Sequence, residues 1–323
     1  MSNIKALVGS RPVVFIKSAA VGIDRGWDPT DVRHVLVNAG IENYVIEAQV
    51  PADIMGAVER LPDAIFWPAC YTLCRDPVQS LVTKQLEELH VKYAGASSKS
   101  LGFSSKIAFK ERAIGIPGVR TPAYQEIRQG NGAIFPLEIS FPAMLKTEYS
   151  CNSEGVRRLD SKRDFYRSNI ELLRKYGQRH YVEKWERSRE YTVAVLPKTI
   201  KRDCVIAPIG MEIQNNSIYI DADVKSKSPL VRVFALDNNE SSELMEMTSA
   251  LVNGMSIDGH CRIDFIRNEV GMLFVIEANF QPFMSFQTHT RSYFPNAFIL
   301  TKNLGFADQV YHLLEHAVFR TDE

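Results

Sequence analysis

Apolar and polar positions along this chain follow two periods, and the way they alternate divides it into units. In the first hundred residues, short apolar runs take turns with stretches of helical spacing. VVFI (13–16), NYVIEAQ (43–49) and DAIFWPA (63–69) read as strands, and TDVRHVLVNAG (30–40), ADIMGAVERL (52–61) and VQSLVTKQLEELH (78–90) as helices. Asp28-Pro29 predicts a helix start, with Asp as the cap and Pro in the first turn, and Gly40 predicts its end. A strand–helix repeat of this kind implies a parallel sheet covered by helices. From Ser104 the rhythm changes. SSKIAFKERAI predicts a helix, FPAMLK (141–146) a strand that ends in a lysine, and SKRDFYRSNIELLRKYG (161–177) an amphipathic helix with Phe165, Ile170, Leu172 and Leu173 mostly on one side. HYVEKW, EYTVAVLP, CVIAPIGMEI, SIYID and VRVFAL read as further strands, followed by a helix over SSELMEMTSALVNGM and a final one over ADQVYHLLEHAVFR.

One late stretch carries polar residues where the pattern asks for apolar ones. CRIDFI (261–266) and MLFVIEANF (272–280) read as two strands joined by the turn RNEVG. Glu277 and Asn279 lie two apart and share a face, and Asp264 sits on the facing strand. If the register sets Asp264 opposite them, three oxygen donors converge. Half-buried carboxylates so placed repel unless a cation neutralises them, and Asp, Glu and Asn suit a hard ion such as Mg²⁺ on a nucleotide phosphate. The competing reading is an amphipathic hairpin whose acids face water.

Composition narrows the classes. With 323 residues, two or three compact subdomains are expected. Lys plus Arg equals Asp plus Glu at 38 each, so no net field draws nucleic acid or an anionic membrane. No apolar run reaches spanning length, no secretory leader is expected, and five scattered cysteines fit a reducing compartment; the cytoplasm is the expectation. Neither G-x-x-x-x-G-K-[ST] nor G-x-G-x-x-G is present, so a nucleotide site must be built another way.

The order Arg-x-Asp-Phe, then thirteen residues from Asp264 to Glu277, then Glu-x-Asn and Pro282 resembles the metal-binding hairpin of ATP-grasp ligases, in particular the D-alanine–D-alanine ligase branch. YVEKWERSREYTVAVL (181–196) resembles that family's Glu-Lys-Trp and Glu-x-Thr-Val pattern almost letter for letter. The resemblance implies an α/β and α+β chain with the ATP-grasp fold. An N-terminal parallel-sheet domain (1–103) would precede two α+β subdomains (104–189 and 190–323) that sandwich ATP. It implies Asp264, Glu277 and Asn279 as ligands for one or two Mg²⁺ ions, with Mn²⁺ as an alternative. Lys106 and Lys146 would meet the nucleotide, Glu183 the adenine amino group, Trp185 the base, and Glu190 the ribose. Arg262 would stabilise an oxyanion, Ser153 belongs to the phosphate loop, and Lys225 or Lys227 would clamp the γ-phosphate.

Two departures touch the nucleotide machinery and the rest concern the other substrates. Lys106 follows Ser105 where the family has Asp-Lys, and Cys151 replaces a loop glycine, with Gly155 retained. FIKSAAVGIDRGW (15–27), ACYTLCRDPVQ (69–79) and Phe283 stand where the family's substrate motifs would be. The expected activity is amide formation through an acyl phosphate on a small-molecule carboxylate and amine other than D-alanine, with Phe283, His289, Arg291 and Tyr293 as substrate contacts. Neither nucleic acid nor membrane is an expected partner, and a homodimer is allowed. Intramolecular amide closure and a non-catalytic ATP-binding module are the alternatives. His312-x-x-Glu315-His316 matches a zinc-peptidase spacing, but Leu313, Leu314 and Val318 favour a packed terminal helix.

Overall fold

The computed structural model describes residues 2–19, 26–70, 73, 81–127, 138–149, 155–176, 179–186, 188–213, 231–286 and 292–320. The N-terminal unit runs α1 (Ser2–Val8), β1 (Val13–Ser18), α2 (Thr30–Asn38), β2 (Asn43–Ala48), α3 (Pro51–Arg60), β3 (Ile65–Pro68) and α4 (Leu81–Glu88). Its strands form a parallel sheet in the order β2-β1-β3, as the alternating pattern predicts. Asp28 accepts from the backbone N–H and hydroxyl of Thr30, at 3.0 and 2.6 Å, so α2 begins at Thr30, one residue later than a Pro-first start implies. Gly40, at φ +69°, ends it as expected.

The next unit is α5 (Ser98–Gly102), α6 (Lys106–Ile114), β4 (Tyr124–Ile127), β5 (Ala143–Thr147), β6 (Val156–Leu159), α7 (Lys162–Tyr176) and β7 (His180–Lys184). Its antiparallel sheet has the order β4-β7-β5-β6. Leu145, Val182, Phe165 and Leu172 pack on the α7 side. The expectation for α7 fails at Ile170, which is 50% exposed. At 100° per residue, Ile170 lies five positions past Phe165 and two before Leu172, which turns it to the opposite side.

The third unit holds β8 (Ser188–Leu196), β9 (Val205–Ile213), β10 (Val231–Ala235), α8 (Asn238–Gly254), β11 (Cys261–Asn268) and β12 (Leu273–Asn279), then α9 (Tyr293–Lys302) and α10 (Phe306–Phe319). Its antiparallel sheet has the order β10-β9-β8-β11-β12. Ile263, Phe265, Val193, Leu244 and Leu251 fill the core between one face and α8. Each such side chain contributes roughly 1.5–3 kcal/mol on burial, which fixes which way β11 faces. The other face divides: Ala194, Leu196, Ile209 and Met211 pack with Phe294, Phe298 and the N-terminal core, and the rest opens toward the smaller sheet. The predicted strand SIYID lies outside the described residues.

Candidate active site

Strand alternation builds one wall of the site. Cys261, Ile263 and Phe265 point into the core, so Arg262 and Asp264 point out of it. The register pairs Asp264 with Glu277 and Arg262 with Asn279, and directly opposed residues share a face, so all four stand together. Beyond Asp264 the register shifts to Phe265 opposite Val275, leaving Ile276 as the extra residue of a bulge. On the neighbouring strand, Thr192 lies opposite Asp264 and Glu190 opposite Ile266, which extends the same face.

The opposite wall comes from the smaller sheet and α6. Lys146 pairs with Tyr181 and Met144 with Glu183, so Lys146, Tyr181 and Glu183 share one face. Lys106 and Lys110, four apart on α6, project from one side of the helix. The walls meet where the Lys106 ammonium lies 3.2 Å from the Glu277 carboxylate.

Glu183 is the centre of the smaller wall. Its two carboxylate oxygens take Lys146 at 2.6 Å and Lys110 at 2.5 Å, and all three side chains are nearly or wholly buried. Burial pushes the Glu183 carboxyl up, but the two ammonium groups outweigh it and hold it below its ordinary value. Burial lowers Lys110, and Glu183 does not fully offset this because Lys146 repels the same charge. Lys146 is raised instead: burial opposes its charge, and Glu183, aided by Glu277 and Glu190, outweighs that. One buried carboxylate between two buried ammoniums leaves cationic character that an anion would relieve. Lys110, which also donates to the Thr121 hydroxyl at 2.7 Å, was not singled out in the sequence. Its spacing from Lys106 was the available signal, but a lysine pair on a helix reads equally well as a solvated face.

Asp264 sits in a ready lattice of donors. Arg262 forks onto it with two bonds of 3.0 Å, and the Thr192 hydroxyl donates at 2.6 Å. Burial lowers Arg262, but Asp264 and Glu277 outweigh that and raise it. The Arg262 guanidinium lies 5.7 Å from the centre of the Tyr293 ring. Asn279 accepts from the Gln281 N–H at 3.0 Å. Two carboxylates opposed across the hairpin, with an amide oxygen on the same face, form an oxygen-only donor set that fits a hard divalent ion.

Trp185, just past β7, is half-buried, with the Arg158 guanidinium 4.4 Å from the centre of its ring. Gly155 stands at φ +70°, and a Cβ there would come within 2.6 Å of the Thr147 side chain, so the retained glycine is sterically required. Phe283 packs against the N-terminal core. Ser285 and the Phe286 N–H both donate to Asp31 at 2.7 Å, fastening the segment after the hairpin to the start of α2. Ser153, Lys225, Lys227, His289 and Arg291 lie outside the described residues. The zinc-like triplet is committed elsewhere: His312 to the Pro197 carbonyl, Glu315 to the Thr199 hydroxyl and His316 to Asp258.

Comparison with known proteins identifies the family and the fold. The family model for the D-ala D-ala ligase C-terminus matches residues 118–315. A D-alanine–D-alanine ligase of Pseudomonas entomophila is 25% identical over 209 residues, covering 62% of each chain. One from Francisella tularensis is 23% identical over 252 residues, covering 77% of this chain and 80% of that one. The chain thus spans about 62% of the length of the Pseudomonas relatives it matches. Among solved structures, a D-alanine–D-alanine ligase from Bacillus anthracis superposes with a TM-score of 0.76 at 17% identity, covering 95% of this chain and 97% of that one. The same enzyme complexed with ATP gives 0.74 at 15% identity. With its two antiparallel sheets, its parallel N-terminal sheet and a family match across most of its length, the chain belongs to the D-ala D-ala ligase C-terminus family and has the ATP-grasp fold.

Proposed function

We propose that this chain is an ATP-dependent carboxylate–amine ligase acting on an amino acid or specialised small molecule other than D-alanine. The observation that carries this reading is the placing of Asp264, Glu277 and Asn279 on one face, opposite lysines that converge around Glu183. Lys106 and Lys146 bind the nucleotide phosphates, with Lys110 behind them. Trp185 borders the base, Glu190 takes the ribose hydroxyls, and Glu183 uses the lone pairs left by its lysines for the adenine amino group. Magnesium held by the three hairpin oxygens would neutralise phosphate charge and align the γ-phosphate. Ser153 and Lys225 or Lys227 complete the phosphate side, and His289 and Arg291 contact substrate.

The chain's work is positioning and charge stabilisation. A substrate carboxylate oxygen attacks the γ-phosphorus, the bond to the β,γ-bridging oxygen breaks, and ADP leaves. An amine then attacks the acyl carbon and loses a proton, and phosphate departs with the C–O bond electrons. Arg262, oriented by its fork on Asp264, faces the oxyanion that forms in that second step. The rewritten stretches 15–27 and 69–79, together with Phe283, support a substrate other than D-alanine.

ADP release measured with ATP and Mg²⁺ across pairs of amino acids, followed by mass analysis of products, tests this. Amide formation from one particular pair is the expected result. Dipeptide from D-alanine alone would overturn the substrate reading. ATP binding with no substrate-dependent ADP across the panel would favour the non-catalytic module.

A further inference from the structure

We infer that Glu148 is a positioning residue for Lys106, supplying from the start of the phosphate loop the negative charge that the helix start lacks. This rests on the proposed nucleotide site and adds a residue to it. Ser105 caps α6 by accepting from the Ala108 N–H at 3.1 Å. The same hydroxyl donates to the Glu148 carboxylate at 2.6 Å, across 43 residues of sequence. The Glu148 carbonyl accepts the Lys106 N–H at 3.2 Å, and its own N–H donates to the Arg179 carbonyl at 2.9 Å. Arg179 closes the set, reaching the Glu148 carboxylate at 3.4 Å while holding Glu126 by two bonds of 2.6 and 2.7 Å.

Glu148 therefore binds the start of α6 through both its main chain and its side chain, and it is only 6% exposed. It lies two residues beyond Lys146, so the link sets the spacing between Lys106 and Lys146, the pair assigned to the phosphates. A serine alone caps a helix but brings no charge; a carboxylate beside the first turn adds a favourable interaction with the helix N-terminus and fixes which way the hydroxyl points. With no acid in the first turn of α6, the task is divided between Ser105 and Glu148.

Calorimetric binding of ATP with Mg²⁺ to the full chain tests the division, alongside melting temperature. Glu148→Ser should weaken ATP binding about tenfold, the loss of one charge-assisted hydrogen bond. Glu148→Gln, which keeps an acceptor for Ser105 but removes the charge, should fall between the two, about threefold weaker than wild type. The exchange Ser105→Asp with Glu148→Ser should restore affinity, and Glu148→Ser added to Lys106→Met should weaken binding no further than Lys106→Met alone. Unrestored affinity in the exchange, or a full additional loss on top of Lys106→Met, would overturn the inference, because a merely structural Glu148 lowers the melting temperature whichever lysine is present. Wild-type binding that Glu148→Ser leaves unchanged would also overturn it while sparing the ligase reading. A wild-type chain that binds no ATP overturns both.

Discussion

Glu183 shows how one residue's surroundings decide its task. Held by Lys110 and Lys146, it cannot be removed without leaving two buried cations, so Glu183→Ala should cost about 3–5 kcal/mol in chemical denaturation. Lys110 behaves in the opposite way. Burial disfavours its charge and Glu183 keeps a second partner, so Lys110→Met should leave stability unchanged or raise it by about 1–2 kcal/mol while weakening ATP binding. A large loss of stability in Lys110→Met would show that the cation is structural. Such a divergence between the two variants is what a functional group held in a disfavoured state produces.

At the scale of elements, the hairpin is legible from its letters, because alternation fixes which residues share a face and the apolar partners Ile263 and Phe265 leave only one face for the core. Its bulge at Ile276 is not, since no residue type there demands one. Gly155→Ala should raise the ATP concentration needed for half-saturation several-fold, because the added methyl meets Thr147 at a left-handed backbone position; unchanged binding would mean the loop start does not need its conformation. Helix α9 escaped prediction because Pro295 sits in its first turn and its residues are mostly apolar, with Tyr293, Phe294, Ala297 and Phe298 buried on the side toward the large sheet and α10. Lys110 and Glu148 were missed for a related reason. Each looks like ordinary surface charge until the fold buries it, Lys110 against Glu183 of β7 and Glu148 against Ser105 at the start of α6.

At the scale of the whole molecule, the last helix returns to the first unit. Arg320 donates to the Gly95 and Tyr93 carbonyls at 2.7 and 3.3 Å and pairs with Asp258, whose other oxygen takes His316. Next to this joint, and one residue before β11, His260 is buried with neither ring nitrogen hydrogen-bonded, its ring 5.5 Å from that of Phe294. Burial, with some help from His316 and Arg320, pushes it down from 6.5 to about 3. The unfolded chain therefore takes up a proton before the folded one does. The stability conferred by a neutral His260 is complete above 6.5 and falls as pH drops below it, by about 1.4 kcal/mol per pH unit until the folded value is approached. His260→Phe should flatten the melting-temperature profile between pH 6.5 and 4; an unaltered acid slope would place the sensitivity elsewhere. Among the described residues no helix is long and apolar enough to cross a membrane.

The central claim is that Asp264, Glu277 and Asn279 act together on a metal–nucleotide complex. Calorimetric titration of the wild-type chain and of Asp264→Ala with ATP, each with Mg²⁺ and again with chelator, addresses it most directly. The account predicts wild-type binding that depends on Mg²⁺ and a loss of at least about tenfold in Asp264→Ala, as expected when a charged ligand is removed. Equal binding by both proteins, with or without Mg²⁺, would contradict it.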